Sequence, residues 1–168
     1  MAVDPPSVTY IPIGIIHSPF HDPVGMPIQP SGARGTQGTV EIFPPYREGL
    51  HDLEGFSRVI LIYHFHRGRP GPLMVKPFLD SSHRGAFATR APSRPNFIGL
   101  SAVRLISITD GTLLVEDLDI LDGTPLLDVK PYVPAFDAYP HEVAGWLDAV
   151  KDPMDRARSD GRFHTGEP

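Results

Sequence analysis

The chain has 168 residues, no cysteine, 20 prolines, 16 glycines, 40% hydrophobic residues and a net charge of −5. That size suits one domain with a real core. The lack of cysteine excludes disulfides, thiolate metal sites and cysteine nucleophiles, and fits a reducing cytoplasm.

The longest apolar run, residues 59–63, is far too short to cross a bilayer, so no membrane partner is expected. The start, MAVDPPSVTY, has no basic region leading into an apolar stretch, so no secretion signal is expected either. The many prolines and glycines point to short strands joined by shaped loops. Residues 10–16 are rich in isoleucine and predict a first strand, stopped at Pro19. Residues 21–37 read as a long loop of the kind that is functional or mobile. A strand over 38–43 follows, then a short helix over 46–53 opened by Pro44-Pro45.

Residues 58–66 form the clearest strand. Val59, Leu61, Tyr63 and Phe65 share one face; Ile60, Ile62, His64 and His66 share the other. Short strands are expected at 73–77 and 85–89. Strands at 99–109 and 112–119 flank Asp110-Gly111, a strong hairpin signal. Another strand is expected at 126–129. Val143, Trp146, Leu147 and Val150 line one face of a helix expected over 141–150. The fold class is therefore mainly β: a small single-domain β-barrel over residues 1–150, with short helical segments, a C-terminal helix and a loose tail over 151–168. No βαβ alternation and no GxGxxG motif points to a Rossmann-type site.

Charge is unevenly placed. Residues 58–104 hold eight basic residues and one acid, although the chain as a whole is acidic. Such a middle can attract phosphate, or be neutralised by acids across the fold. It includes residues 85–101, where two prolines would fix the directions of Arg90, Arg94 and Asn96. Guanidinium groups held this way suit planar anions, although a rigid surface turn has the same composition. His64 and His66, with His83, resemble part of a zinc site, but no further ligand has an indicative spacing and no metal is expected. Glu116, Asp117, Asp119 and Asp122 crowd carboxylates at a strand end, suited to hydroxyls, an amine or a cation. Asp128, Lys130 and Tyr132 alternate onto one face, able to move a proton or to form a surface ion pair.

Five ordered blocks then carry a resemblance: IGIIHSPF at 13–20, PIQP at 27–30, LEGFS at 53–57, residues 85–101, and LDILDGTP at 118–125 running into DVKPY at 128–132. Together they resemble the TrmO family (YaeB-like or TsaA-like) of S-adenosylmethionine-dependent tRNA methyltransferases, which act on threonylcarbamoyl-adenosine beside the anticodon. The resemblance implies a β-barrel homodimer, cytoplasmic, with tRNA as substrate and the cofactor near the subunit interface. It implies cofactor contacts at Ile28, Gln29, Pro30, Phe65, His66, Arg90, Leu100, Glu116, Asp117, Leu118 and Asp119. Arg94 and Asn96 would meet the RNA. Asp128 would act as the base, with Lys130 and Tyr132 orienting it or the substrate. One departure stands out: Asn96-Phe97-Ile98 replaces the family's usual Asn-Pro-Ile. Rival readings are a methyltransferase on a small molecule or protein, and a barrel that binds the cofactor without catalysis.

Overall fold

The computed structural model describes residues 6–150 and 155–164. Six antiparallel strands close into a barrel in the order β1-β2-β7-β6-β3-β8. They are β1 (Gly14–His17), β2 (Gln37–Ile42), β3 (Arg58–His64), β6 (Ile98–Thr109), β7 (Thr112–Glu116) and β8 (Thr124–Pro131). β4 (Met74–Val75) and β5 (Arg84–Gly85) form a separate two-stranded sheet beside it.

Alternation explains the core. Val59, Leu61 and Tyr63 of β3 are buried, as are Val103 and Leu105 of β6 and Leu113 and Val115 of β7. Ile16, Val40, Ile42 and Leu126 fill the rest of the barrel from β1, β2 and β8. Full burial of each such aliphatic side chain contributes about 1.5–3 kcal/mol. The β6–β7 hairpin turns at Asp110-Gly111 with φ of 51° and 80°, the left-handed pair that such a tight turn requires. Register slips between Leu105 and Ser107, and between Ile62 and Tyr63, bend the strands enough to close the barrel.

Several expectations differ from the structure. Residues 141–150 form no α-helix; a 3-10 turn at Gly145–Ala149 replaces it, and Val143 is 87% exposed. Gly145, at φ 62°, interrupts the helical backbone, and so short a segment nucleates poorly alone. Among the described residues the one α-helical turn, α1, lies earlier, at Pro134–Asp137. The expected helix after Pro44 is a 3-10 segment at Pro44–Leu50. The expected strand at 85–89 stops at Gly85 and becomes a 3-10 turn at Ala86–Ala88.

Part of the expected loose tail packs against the barrel mouth. Pro27 forms a β-bridge with Arg158, and the Gly25 and Ser159 amides bond to the Ser159 and Met26 carbonyls at 2.7 and 2.9 Å. Arg162 stacks over Phe78 and donates to the Lys76 and Pro77 carbonyls, while Phe163 meets the Phe78 ring edge-on. Residues 151–154 and 165–168 of that expected tail lie outside the described residues.

Candidate functional site

One end of the barrel opens into a cleft of about 1060 Å³. Its floor is the end of β3 (Tyr63, with Phe65 and His66 just beyond) and the start of β6 (Gly99, Leu100). One wall is Ile28, Gln29 and Pro30; another is Arg90 and Arg94 from the β5–β6 connection. Asp119, Ile120 and Leu121 come in from the β7–β8 connection. Tyr132, Trp146, Phe163 and His164 complete the rim.

The β5–β6 connection is stiff for identifiable reasons. Arg94 donates to its own loop's Thr89 and Ala91 carbonyls at 3.1 and 3.0 Å, and the Thr89 hydroxyl donates to the Ala86 carbonyl. The Trp146 indole N–H donates to the Ala88 carbonyl at 2.8 Å. Arg90, free of these ties, reaches across the cleft to Gln29 Oε1 at 3.3 Å. Asn96 is exposed and outside the cleft lining. Phe97 meets the His64 ring edge-on, and its carbonyl accepts from the Phe65 amide at 2.8 Å.

At the floor, Ser101 donates to Asp119 Oδ1 at 2.7 Å, and Tyr63 lies 3.1 Å from the same serine hydroxyl. Burial pushes the Asp119 carboxyl up to about 6, although the Ser101 bond and Arg90 oppose the shift. Burial, with Asp119 beside it, also pushes the Tyr63 phenol well above its ordinary value, so it stays protonated. Thr124 spends its proton on the Leu121 carbonyl at 2.6 Å, so the contact with His66 Nδ1 at 3.2 Å needs an N–H on that nitrogen. Burial, then Arg67, holds the His66 pKa below its ordinary value, which favours the neutral ring with Nε2 as an acceptor.

The structure divides the sequence candidates. Ile28, Gln29, Pro30, Phe65, His66, Arg90, Arg94, Leu100, Asp119 and Tyr132 all line the cleft. Glu116, Asp117 and Leu118 do not. Glu116 pairs with Arg104 at 3.2 Å, Asp117 with Arg58 at 2.9 Å, and Leu118 is fully buried in the barrel. Asp128 and Lys130 pair with each other at 2.8 Å, with half-exposed side chains away from the lining. Among the described residues, no three His, Cys, Asp or Glu side chains gather as a metal set.

Sequence reasoning missed Ser101, Ile120, Leu121 and the tail residues Phe163 and His164. Ser101 had a readable signal: a polar residue at an inward position of an alternating strand must find a partner. The tail had none, because its contacts depend on which loops the fold places beneath it.

Residues 15–138 match the tRNA-methyltransferase O N-terminal domain. A probable S-adenosyl-L-methionine-binding protein of Pyrococcus abyssi is 54% identical, covering 95% of this chain and 86% of its own length. The tRNA (adenine(37)-N6)-methyltransferase of Escherichia coli is 34% identical across 82% of this chain, which spans 63% of that enzyme. A crystal structure of TrmO from Pseudomonas aeruginosa superposes with a TM-score of 0.73 at 39% identity, over 88% of this chain and 64% of the other. A shared domain, a shared barrel and this level of identity lead to one conclusion: the chain belongs to the TrmO family.

Proposed function

We propose that this chain is an S-adenosylmethionine-dependent methyltransferase acting on the N6 nitrogen of threonylcarbamoyl-adenosine in tRNA. The observation that carries the reading is the convergence of Ile28, Gln29, Phe65, Arg90, Leu100 and Asp119 on one cleft in a TrmO-family barrel. The residues present fit the cofactor. Arg90 and Gln29 offer a cation and an amide to its carboxylate and amine, and Phe65, Leu100 and Leu121 offer apolar cover. When bound, S-adenosylmethionine supplies an electrophilic methyl group on sulfur.

The chain's own residues then hold the reactants in line and exclude water, which is the larger part of such catalysis. The Arg94 clamp keeps the β5–β6 connection rigid, so Arg90 keeps its aim. Arg67 and Arg69, with His66 and His164, surround a second, smaller hollow next to the cleft and suit RNA phosphate. The half-exposed Leu100 and the exposed Ile98 and Phe87 on one side of the cleft support a homodimer in which a second copy covers the cofactor. Work on tRNA in a cysteine-free chain supports a cytoplasmic location. No helix among the described residues is long and apolar enough to cross a membrane.

The test has two parts: calorimetry with S-adenosylmethionine, and nucleoside mass spectrometry of threonylcarbamoylated tRNA after incubation with protein and cofactor. Binding together with a gain of one methyl group on the modified adenosine is expected; no methylated nucleoside overturns the reading. A second reading, a barrel that binds the cofactor without acting on tRNA, draws on the name of a relative. Its Pyrococcus relative, 54% identical, has a binding-protein name.

A further inference from the structure

Resting on the methyltransferase reading above, we propose that Asp119 is the proton acceptor of this site, positioned by a hydrogen-bond relay from Tyr63 through Ser101. Asp119 lies on the cleft wall between Leu118 and Ile120, which are 0% and 2% exposed in the barrel core. The chain therefore holds this carboxylate at the boundary between core and cleft, where its position is set by packing on both sides.

The relay has one direction. Ser101 has a single proton and gives it to Asp119 Oδ1 at 2.7 Å, so Tyr63, 3.1 Å away, must donate to Ser101. The groups facing Asp119 are Ser101 from β6, Tyr63 from β3 and Arg90 from the β5–β6 connection. Burial pushes the carboxyl up to about 6 against the Ser101 bond and Arg90, which oppose the shift, so it is ionised at neutral pH yet a stronger base than an ordinary aspartate. Asp128 lacks this setting: its side chain is 44% exposed, bound to Lys130 at 2.8 Å, and outside the cleft lining.

The chemistry needs such a group. The carbamoyl substituent draws on the lone pair of the acceptor nitrogen, which attacks only as its N–H proton leaves. The N–CH₃ bond forms while the S–CH₃ bond breaks, its electron pair staying on sulfur, and the nitrogen's proton passes to the Asp119 carboxylate. The carboxylate's negative charge and the sulfonium's positive charge disappear together.

The first readout needs no cofactor. A carbon-13 NMR titration of Asp119 in the free protein is expected to show a midpoint of about 6, moving upward in Ser101→Ala, which removes a bond that holds it down. The second is single-turnover methylation of threonylcarbamoylated tRNA across pH. The rate is expected to rise to a plateau with the same midpoint, and that midpoint is expected to follow Ser101→Ala upward. Asp119→Asn, of nearly equal size, is expected to be at least about 100-fold slower with its cofactor affinity held within about threefold. A variant rate within about threefold of wild type overturns the assignment. So does a rate loss matched by lost cofactor binding, or a pH midpoint that moves in His66→Gln and ignores Ser101→Ala. These results leave the proposed function standing. A wild-type chain that methylates no tRNA overturns that function and the proton acceptor with it.

Discussion

Asp117 holds a left-handed backbone, φ 66°, while its carboxylate accepts from Arg58 at 2.9 Å and from the Gly35 amide at 3.2 Å. A non-glycine residue keeps such a φ only where its surroundings hold it there. Here the start of β3 and the loop before β2 both hold it. The turn at Asp117 precedes Leu118, which is buried in the core, and Asp119, which lines the cleft, so this ion pair anchors the approach to the site from outside it.

Asp117→Ala is accordingly expected to cost about 2–4 kcal/mol of stability, because it leaves the partly buried Arg58 without its partner. Urea unfolding measures that loss. Glu116→Ala, which breaks a more exposed pair with Arg104, is expected to cost about 1 kcal/mol or less in the same assay.

The raised Asp119 carboxyl has a cost in stability. The unfolded chain releases this proton near 3.8, while the folded chain keeps it up to about 6. Between those values the folded state binds more protons, so its stability falls as pH rises, and the full cost is present above the upper value. Asp119→Asn is therefore expected to be more stable than wild type by about 1–3 kcal/mol at neutral pH, with the gain shrinking towards pH 4. Urea titrations at the two pH values measure the difference.

Arg90 spans the cleft to Gln29 and is the cation placed to meet an anionic group. Arg90→Ala is expected to weaken S-adenosylmethionine binding by about 10- to 100-fold in calorimetry, the value of a charge-assisted hydrogen bond. Its melting temperature is expected to stay close to wild type, since the side chain is exposed.

Gly99 pairs directly with Tyr63, and a β-carbon there would overlap the Tyr63 ring. Gly99→Ala is expected to destabilise the barrel by about 1–3 kcal/mol through overpacking and to displace the phenol from Ser101. Thermal unfolding checks the first effect; the Asp119 titration midpoint checks the second.

Arg162 anchors residues 155–164 through Phe78 and the Lys76 and Pro77 carbonyls. Arg162→Ala is expected to speed amide exchange in that segment about three- to tenfold, with the barrel strands unchanged. Hydrogen-exchange mass spectrometry reads both regions at once.

These residues also mark what sequence could reveal. β3 and the Asp110-Gly111 hairpin were legible because period-2 alternation and left-handed turn residues are local signals. The cleft-facing Arg90 and Phe65 came from motif resemblance, since nothing local distinguishes a binding arginine from a solvated one. The carboxylates at 116–119 crowd together in sequence but part in position, Asp119 at the cleft and Glu116 and Asp117 on arginines outside it, because the left-handed turn at Asp117 breaks the strand's period. Residues 141–150 carried a helical apolar stripe, yet Gly145 broke the helix and Trp146 was used to pin a distant loop. The missing helix is a case of tertiary structure overriding a local pattern.

The barrel closes where β1, at Gly14–His17, bonds to β8, with Ile16 opposite Thr124 and Gly14 opposite Leu126. β1 thus waits for β8. A nascent chain holding β1 to β7 still exposes two unpaired strand edges, and only after residue 126 has emerged can either be covered. Contacts this far apart in sequence make for slow folding. This barrel is therefore most exposed to aggregation until β8 emerges, and a chaperone that shields strand edges would act on it in that interval.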